Sequence, residues 1–244
     1  MTAVFELRHL YKAFGANVIY EDMNLEVEEG ETFSIIGGSG MGKSVCLKLM
    51  IGLLPYEKGH VLFKGKEVGD MDREQLRELR RHVSMVFQGG ALFDSMNVFE
   101  NVTYALREHT KMSDEEMLER AKECLDMVGL GYDPDIMYRF PAGLSGGMRK
   151  RAALARSIAI KPEVILYDEP TTGLDAITSL EINLLMKSIQ KQYKTSSIII
   201  THDMKCVQLA AHRVAMLIHG KCYAQGTYDT LRQDQDEEIR QFFQ

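Results

Sequence analysis

Eight consecutive residues constrain this chain more than any others: Gly37-Gly38-Ser39-Gly40-Met41-Gly42-Lys43-Ser44. They fit G-x-x-x-x-G-K-[ST]. The glycines let the backbone curl, so that successive N–H groups point inward around phosphate oxygens. Lys43 can reach the β- and γ-phosphates, and the Ser44 hydroxyl can coordinate Mg²⁺. The motif requires a strand before it and a helix after it. The apolar run Thr32-Phe33-Ser34-Ile35-Ile36 supplies the first, and Ser44-Val45-Cys46-Leu47-Lys48-Leu49-Met50 reads as the second. A helix N-terminus adds its own preference for anions. The sequence therefore predicts a nucleoside triphosphate site, against the plainer alternative of a glycine-rich turn with a surface lysine.

A length of 244 residues allows one large α/β domain or a core with an inserted subdomain. The net charge is −6 with an isoelectric point near 5.7, which argues against a nucleic-acid partner. Cys46, Cys124, Cys206 and Cys222 lie far apart with no C-x-x-C pair, so reduced, buried or half-buried thiols are expected. The start, Met1 to Arg8, lacks a basic-then-apolar block, so no export signal is expected. No run approaches the roughly twenty apolar residues that cross a bilayer. Any membrane role is expected to be indirect, through a partner.

Along the chain there is one nucleotide cassette and no internal repeat. Val4–Leu10 alternates like a half-buried strand, Met23–Glu28 reads the same way, and His60–Phe63 is a further strand. A charged helix is expected over Asp72–Arg81, then a short strand over His82–Phe87. From Asn97 to Arg156 the pattern is mainly helical, with Ser113-Asp114-Glu115-Glu116 as a helix start. This stretch is expected to form a helical subdomain inserted into the α/β core. Val164–Tyr167 and Ser197–Ile200 read as buried parallel strands, and Arg213–Ile218 with Cys222–Ala224 as a closing hairpin. The expected boundaries are residues 1–88 and 160–228 for the core with its antiparallel β portion, 89–159 for the helical subdomain, and 229–244 for a charged tail.

In open α/β sheets, ligands sit beyond the carboxyl ends of the strands. The strand ending at Ile36 opens into the phosphate loop. The strand ending at Phe87 delivers Gln88, that ending at Tyr167 delivers Asp168 and Glu169, and that ending at Ile200 delivers Thr201-His202-Asp203. If those strands are parallel, all four groups meet around one triphosphate. Asp168 suits a Mg²⁺-orienting carboxylate, although a helix-capping or turn aspartate has the same look. Glu169 suits a general base that positions or deprotonates the attacking water, against a solvated loop glutamate. His202 can hydrogen-bond a γ-phosphate oxygen, and Gln88 can ligate Mg²⁺ or hold the water. A structural histidine and an ordinary loop glutamine are the alternatives.

With these residues in view, the chain resembles the ATP-binding-cassette family of transport ATPases over nearly its full length. Leu144-Ser145-Gly146-Gly147-Met148, just before the basic helical stretch Arg149-Lys150-Arg151, is similar to the family signature LSGGQ, with Met148 in place of Gln. Val164–Pro170 resembles the Walker B strand, Gly173-Leu174-Asp175-Ala176 the D-loop, and Thr201-His202-Asp203 the switch histidine. The resemblance implies a P-loop α/β fold: a mixed-sheet core, an N-terminal antiparallel β subdomain and an inserted helical subdomain. It also implies ATP with Mg²⁺, and ATP hydrolysis by a head-to-tail pair of copies. In that pair Ser145, Gly146 and Gly147 of one copy, with Asp175, face the γ-phosphate held on the other copy's loop. The family places an adenine-stacking aromatic before an early glycine, which points to Phe14, with Tyr11 and Tyr20 as rivals. Val45 stands where a second Ser or Thr is common, which removes a hydroxyl near the α-phosphate.

The stretch Phe87–Val98 is unusually apolar for a loop leading into helices. It can be core of the helical subdomain, a groove for a helix of a membrane permease, or both for different side chains. That stretch, Leu106-Arg107-Glu108-His109-Thr110 and the Met-bearing signature are similar to the ATPase subunit of Mla and Mce-type lipid transporters. The tail Glu238–Phe243 resembles that subfamily's C-terminal segment, which can contact the neighbouring cassette. The resemblance implies a separate integral-membrane permease, an MCE-domain lipid-binding protein, phospholipid or a related lipid as cargo, and a place on the cytoplasmic face of the inner membrane. Two other readings share most motifs. One is a soluble cassette ATPase of an assembly machine such as iron–sulfur cluster building. The other is a non-catalytic, nucleotide-gated binding module.

Overall fold

The computed structural model describes residues 3–243. In chain order the elements are β1 (Ala3–Phe14), β2 (Asn17–Glu28), β3 (Thr32–Gly37), α1 (Lys43–Met50), β4 (Lys58–Phe63), β5 (Lys66–Glu67), α2 (Arg73–His82) and β6 (Val83–Val86). Then come α3 (Val98–His109), α4 (Asp114–Met127), α5 (Gly146–Ala159), β7 (Val164–Asp168), α6 (Ala176–Tyr193) and β8 (Ser196–Ile200). The chain closes with α7 (Met204–Ala210), β9 (Arg213–Ile218), β10 (Lys221–Gly226), α8 (Tyr228–Arg232) and α9 (Glu237–Arg240).

Two sheets result. β2-β1-β4-β5 is antiparallel, and β10-β9-β3-β8-β7-β6 is mixed. Within the second, β3, β6, β7, β8 and β9 run parallel, and β10 pairs antiparallel with β9 as the closing hairpin. The mixed core sheet and the antiparallel N-terminal sheet bear out the expected fold class.

The apolar pattern explains the layers. Successive side chains of a strand point to opposite faces. In β7, Val164 and Leu166 join a core shared with β1, β2 and α1. Ile165 and Tyr167 join a second core made by α3, α4, α5 and α6. All five residues of β7 are buried, as they are in β8, which fits parallel strands covered on both faces.

The helices of the second core start where side chains satisfy orphan N–H groups. Ser113 caps α4 and Glu116 bonds back to the Ser113 N–H, as expected. Asp72 with Gln75, and Asn97 with Glu100, form the same box at α2 and α3. A small third cluster gathers Ile36, Val214, Met216, Leu231 and Ile239, with Phe242 and Phe243 packed on it. The tail therefore folds onto its own chain, with the Tyr228 and Phe243 rings 5.5 Å apart edge-on. Among the described residues, no helix is long and apolar enough to cross a membrane.

Candidate functional site

The parallel alignment brings four strand exits to one edge. The loop after β3 is tightly folded. Gly42, the N-cap of α1, has φ +87°, and a Cβ there would lie 2.4 Å from Ile19 Cγ2. Only glycine fits a backbone both left-handed and pressed against β2. Beneath it Tyr20, wholly buried, donates its hydroxyl to the Gly42 carbonyl at 2.6 Å. Burial pushes the Tyr20 phenol far above its ordinary value, so it remains a donor. Lys43 is buried and donates to the carbonyls of Gly37 at 2.8 Å and Gly38 at 3.0 Å. Burial lowers its ammonium, while the charges of Glu169 and Asp168 raise it.

Ser44 donates to Asp168 Oδ1 at 2.7 Å, joining the start of α1 to the end of β7. Glu169 follows in a left-handed conformation, φ +48°, which costs a residue with a Cβ on the order of 1 kcal/mol. Its N–H is fixed by the Ile200 carbonyl at 2.9 Å. Its Oε2 takes Thr172 Oγ1 at 3.1 Å and lies 2.8 Å from His202 Nδ1. Ser39, Gly40, Gly42, Lys43, Ser44, Val45, Gln88, Glu169 and His202 thus line one cleft of about 540 Å³, with Ile19 on its wall. Gly37 and Gly38 do not line it but hold Lys43 through their carbonyls, and Met41 packs on the β1–β2 core.

The Ser145 segment lies elsewhere. Helix α5 begins at Gly146 with Ser145 as its N-cap, so the basic residues Arg149 to Arg151 follow on from its first turn. The serine cap satisfies one of the orphan N–H groups at that end. Ser145 Oγ accepts from the Met148 N–H at 3.2 Å, using one lone pair and not its O–H. Ser145, Gly146, Gly147, Met148, Asp175 and Thr178 line a separate cleft of about 450 Å³. Gly147 approaches α6 closely: a Cβ there would sit 2.9 Å from Thr178 Cγ2. Asp175 caps α6, and hydrogen bonds led by Thr178 Oγ1, at 2.6 Å, hold its carboxyl below the usual range.

The early aromatics separate by exposure. Tyr20 is enclosed under the phosphate loop and has no face to offer a base. Phe14 ends β1 and is 47% exposed, with Lys12 Nζ 4.7 Å from the ring centre. Tyr11 is half-buried beside Lys58. In the apolar stretch, Leu92 packs on the helical core, whereas Phe93 is exposed, its ring centre 4.9 Å from that of Tyr104 at a tilt of 48°. The core use expected for that stretch falls on Leu92, while Phe93 is left open to solvent.

Two features were not read from the sequence. One is Tyr20 as the prop of the phosphate loop. The other is Lys150, buried on α5, whose ammonium donates to the Gln88 carbonyl and lies 3.5 Å from the Glu169 carbonyl. A signal existed. Lys150 is spaced with Ala153 and Leu154 on the apolar side of α5, and a cation there needs buried acceptors.

Comparison with known proteins agrees with this geometry. Residues 20–172 match the family model described as ABC transporter. The chain is 38% identical over 239 residues to the intermembrane phospholipid transport system ATP-binding protein MlaF of Haemophilus influenzae, covering 98% of this chain and 89% of that one. It is 38% identical over 242 residues to the probable ribonucleotide transport ATP-binding protein mkl of Mycobacterium leprae, covering 99% of this chain and 69% of that one. The dimeric, post-hydrolysis structure of the ATP-binding cassette MJ0796 bound to ADP and Pi superposes with a TM-score of 0.83 at 31% identity, covering 92% of this chain and 98% of that one.

Proposed function

The chain belongs to the ABC transporter family, and on that premise we propose that it is the ATP-hydrolysing subunit of a lipid transporter, acting as a pair of copies on a separate membrane permease. That it binds and hydrolyses ATP follows from the family and from the relatives it matches throughout. The observation that carries the rest is the division of phosphate-directed groups between two separate clefts of one chain. A second copy, turned head to tail, would bring Ser145 and Gly147 to the γ-phosphate held over Lys43. The MJ0796 cassette, dimeric and bound to ADP and Pi, supports action as a pair of copies.

In this reading the phosphate loop and the N-terminus of α1 bind the triphosphate, with Lys43 moving its donors from Gly37 and Gly38 to phosphate oxygens. Glu169 accepts the proton of the attacking water, and His202, on the same carboxylate, orients it. Phe14 offers an exposed face to adenine. Ser44 Oγ and Asp168 Oδ1 are paired hard oxygen donors, and Gln88 opens on the same cleft. That small donor set suits Mg²⁺, which keeps waters and shares substrate phosphates rather than filling an all-protein cage. When bound there, the ion would neutralise charge developing on the phosphates. Closure of two copies on ATP and reopening after hydrolysis would then drive the permease, because ATP binds the pair better than the separated copies.

Phospholipid as cargo rests on MlaF, which the chain matches over 89% of that protein's length, against 69% for the ribonucleotide-named relative. Exposed Phe93 and Tyr104 offer an aromatic face for a permease helix. An MCE-domain protein would complete the pathway, and the chain would sit on the cytoplasmic face of the inner membrane through its permease. The test is affinity purification of the full chain from detergent-solubilised membranes of its own organism, followed by reconstitution. A multi-spanning membrane protein is expected to co-purify, and fluorescent phospholipid is expected to move between vesicles only with ATP. Recovery with an iron–sulfur scaffold and no membrane protein would overturn the transporter. Movement of ribonucleotide instead of lipid would overturn the cargo.

A further inference from the structure

Helix α5 touches more of the nucleotide machinery than its signature end. Lys150 lies five residues past the Ser145 cap, about 7.5 Å along the axis. Its side chain turns away from solvent and ends between two strand exits. There its ammonium donates to the main-chain oxygen of Gln88 and lies 3.5 Å from that of Glu169. The same side of α5 continues the grip on the loop after β6. Ala153 Cβ stands 3.5 Å from where Gly90 would carry a Cβ, and Arg156 donates to the carbonyls of Gly90 and Ala91, each at 2.8 Å. Both anchored loops carry non-glycine residues in left-handed backbone, Ala91 at φ +46° and Glu169 at φ +48°. Such conformations persist only where neighbours over-determine them.

We propose that Lys150 is a positioning residue for ATP hydrolysis: its buried ammonium fixes the Gln88 and Glu169 peptides together and makes their placement depend on where α5 sits. The inference rests on the ATPase reading above and goes beyond it. Gln88 and Glu169 both line the nucleotide cleft, yet they leave different strands, and no side-chain bond between them is seen among the described residues. A single cation bridging their carbonyls supplies the common reference. Because α5 also presents Ser145 and Gly146 at its start, a contact made at that end would tilt the helix and move both peptides through Lys150. The cation itself never meets phosphate. It acts through the two carbonyls.

The test uses the full chain with Lys150→Met, which keeps length and removes the charge, and Lys150→Arg, which restores donors for two carbonyls. Turnover is measured across ATP concentrations. Nucleotide affinity is measured with Mg²⁺ withheld, and melting temperature alongside. The Met variant is expected to lose roughly 10- to 100-fold in kcat, the scale of a misplaced catalytic group, with KM and ATP affinity unchanged. The Arg variant is expected to recover most of that loss. If the Met variant does not fold, Lys150→Gln is read by the same kcat-against-KM split. Wild-type turnover in the Met or Gln variant overturns the proposal. So does a joint fall of kcat, affinity and melting temperature that Arg does not rescue, since that pattern marks a structural lysine. Glu169→Gln in the same assay separates the two levels. If it stops turnover and Lys150→Met does not change it, only the Lys150 proposal fails. If Glu169→Gln also turns over normally, the reading of the site fails with it.

Discussion

Around the phosphate loop, groups meant for a ligand already hold partners within the chain, Lys43 on two carbonyls and Ser44 on Asp168, while Tyr20 braces Gly42 from below. At the Ser145 corner the same kinds of group are exposed. Ser145 and Gly146 face solvent at the mouth of an open cleft, with the Met148 N–H on Ser145 Oγ and the Arg149 N–H on the Ser145 carbonyl closing the turn. The first site is set by folding alone, because its donors are ordered before any ligand arrives. The second is an oriented helix end whose hydroxyl and first N–H groups lie at an exposed surface. Preorganisation belongs to the half that binds first, and openness to the half that must meet something brought to it.

The sharpest way to break this contrast is Glu169→Gln. On the proposed reading it removes proton acceptance and leaves the cradle intact, so turnover falls roughly 10³-fold while ATP affinity, followed with a fluorescent analogue, stays as in the wild type. Wild-type turnover would mean that Glu169 is not the base. Next comes Lys43→Ala. Losing a charge-assisted contact of about 2–3 kcal/mol weakens ATP binding on the order of 100-fold by calorimetry, and unchanged affinity would refute the cradle.

Gly147→Val tests the other corner. Its side chain would drive into Thr178, so ATP-dependent pairing of copies, measured by light scattering in the Glu169→Gln background, weakens at least about tenfold, the equivalent of 1.4 kcal/mol. ATP affinity of the single chain is expected to hold. If pairing survives, or if affinity falls instead, the two corners are not separate. The smallest effect belongs to Tyr20→Phe. Removing a buried hydroxyl from the Gly42 carbonyl costs about 1 kcal/mol of stability in denaturant titration. No change there would mean that the prop under the loop is dispensable.

Much of the fold was legible because its signals are local. The loop after β3 is contiguous, β7 and β8 contain the apolar runs Val164–Tyr167 and Ile198–Ile200, and Ser113 with Glu116 is a capping pair visible in four letters. The gathering of Lys43, Ser44, Gln88, Glu169 and His202 on one cleft was also foreseeable, since strand ends in a parallel sheet share an edge. Other features are set by tertiary contact and leave little trace along the chain. Tyr20 looked like a candidate base-stacker until β2 was seen to run beneath the phosphate loop. Lys150 meets carbonyls 62 and 19 positions away in sequence. The left-handed turn at Glu169 has no glycine to announce it. Gly146 and Gly147 are poor helix formers, and the Ser145 cap and close packing against α6 hold them at the start of α5.

The alternation along β7 has a consequence for accuracy. Val164 and Leu166 fill one hydrophobic core while Ile165 and Tyr167 fill the other, so a slip by one residue would send each into the wrong compartment. The same slip would exchange Asp168 for Glu169 opposite Ser44. Oil-like packing several residues away therefore guards the address of the two carboxylates. Mutations that merely loosen that packing would be felt first as chemical imprecision, before the molecule came apart.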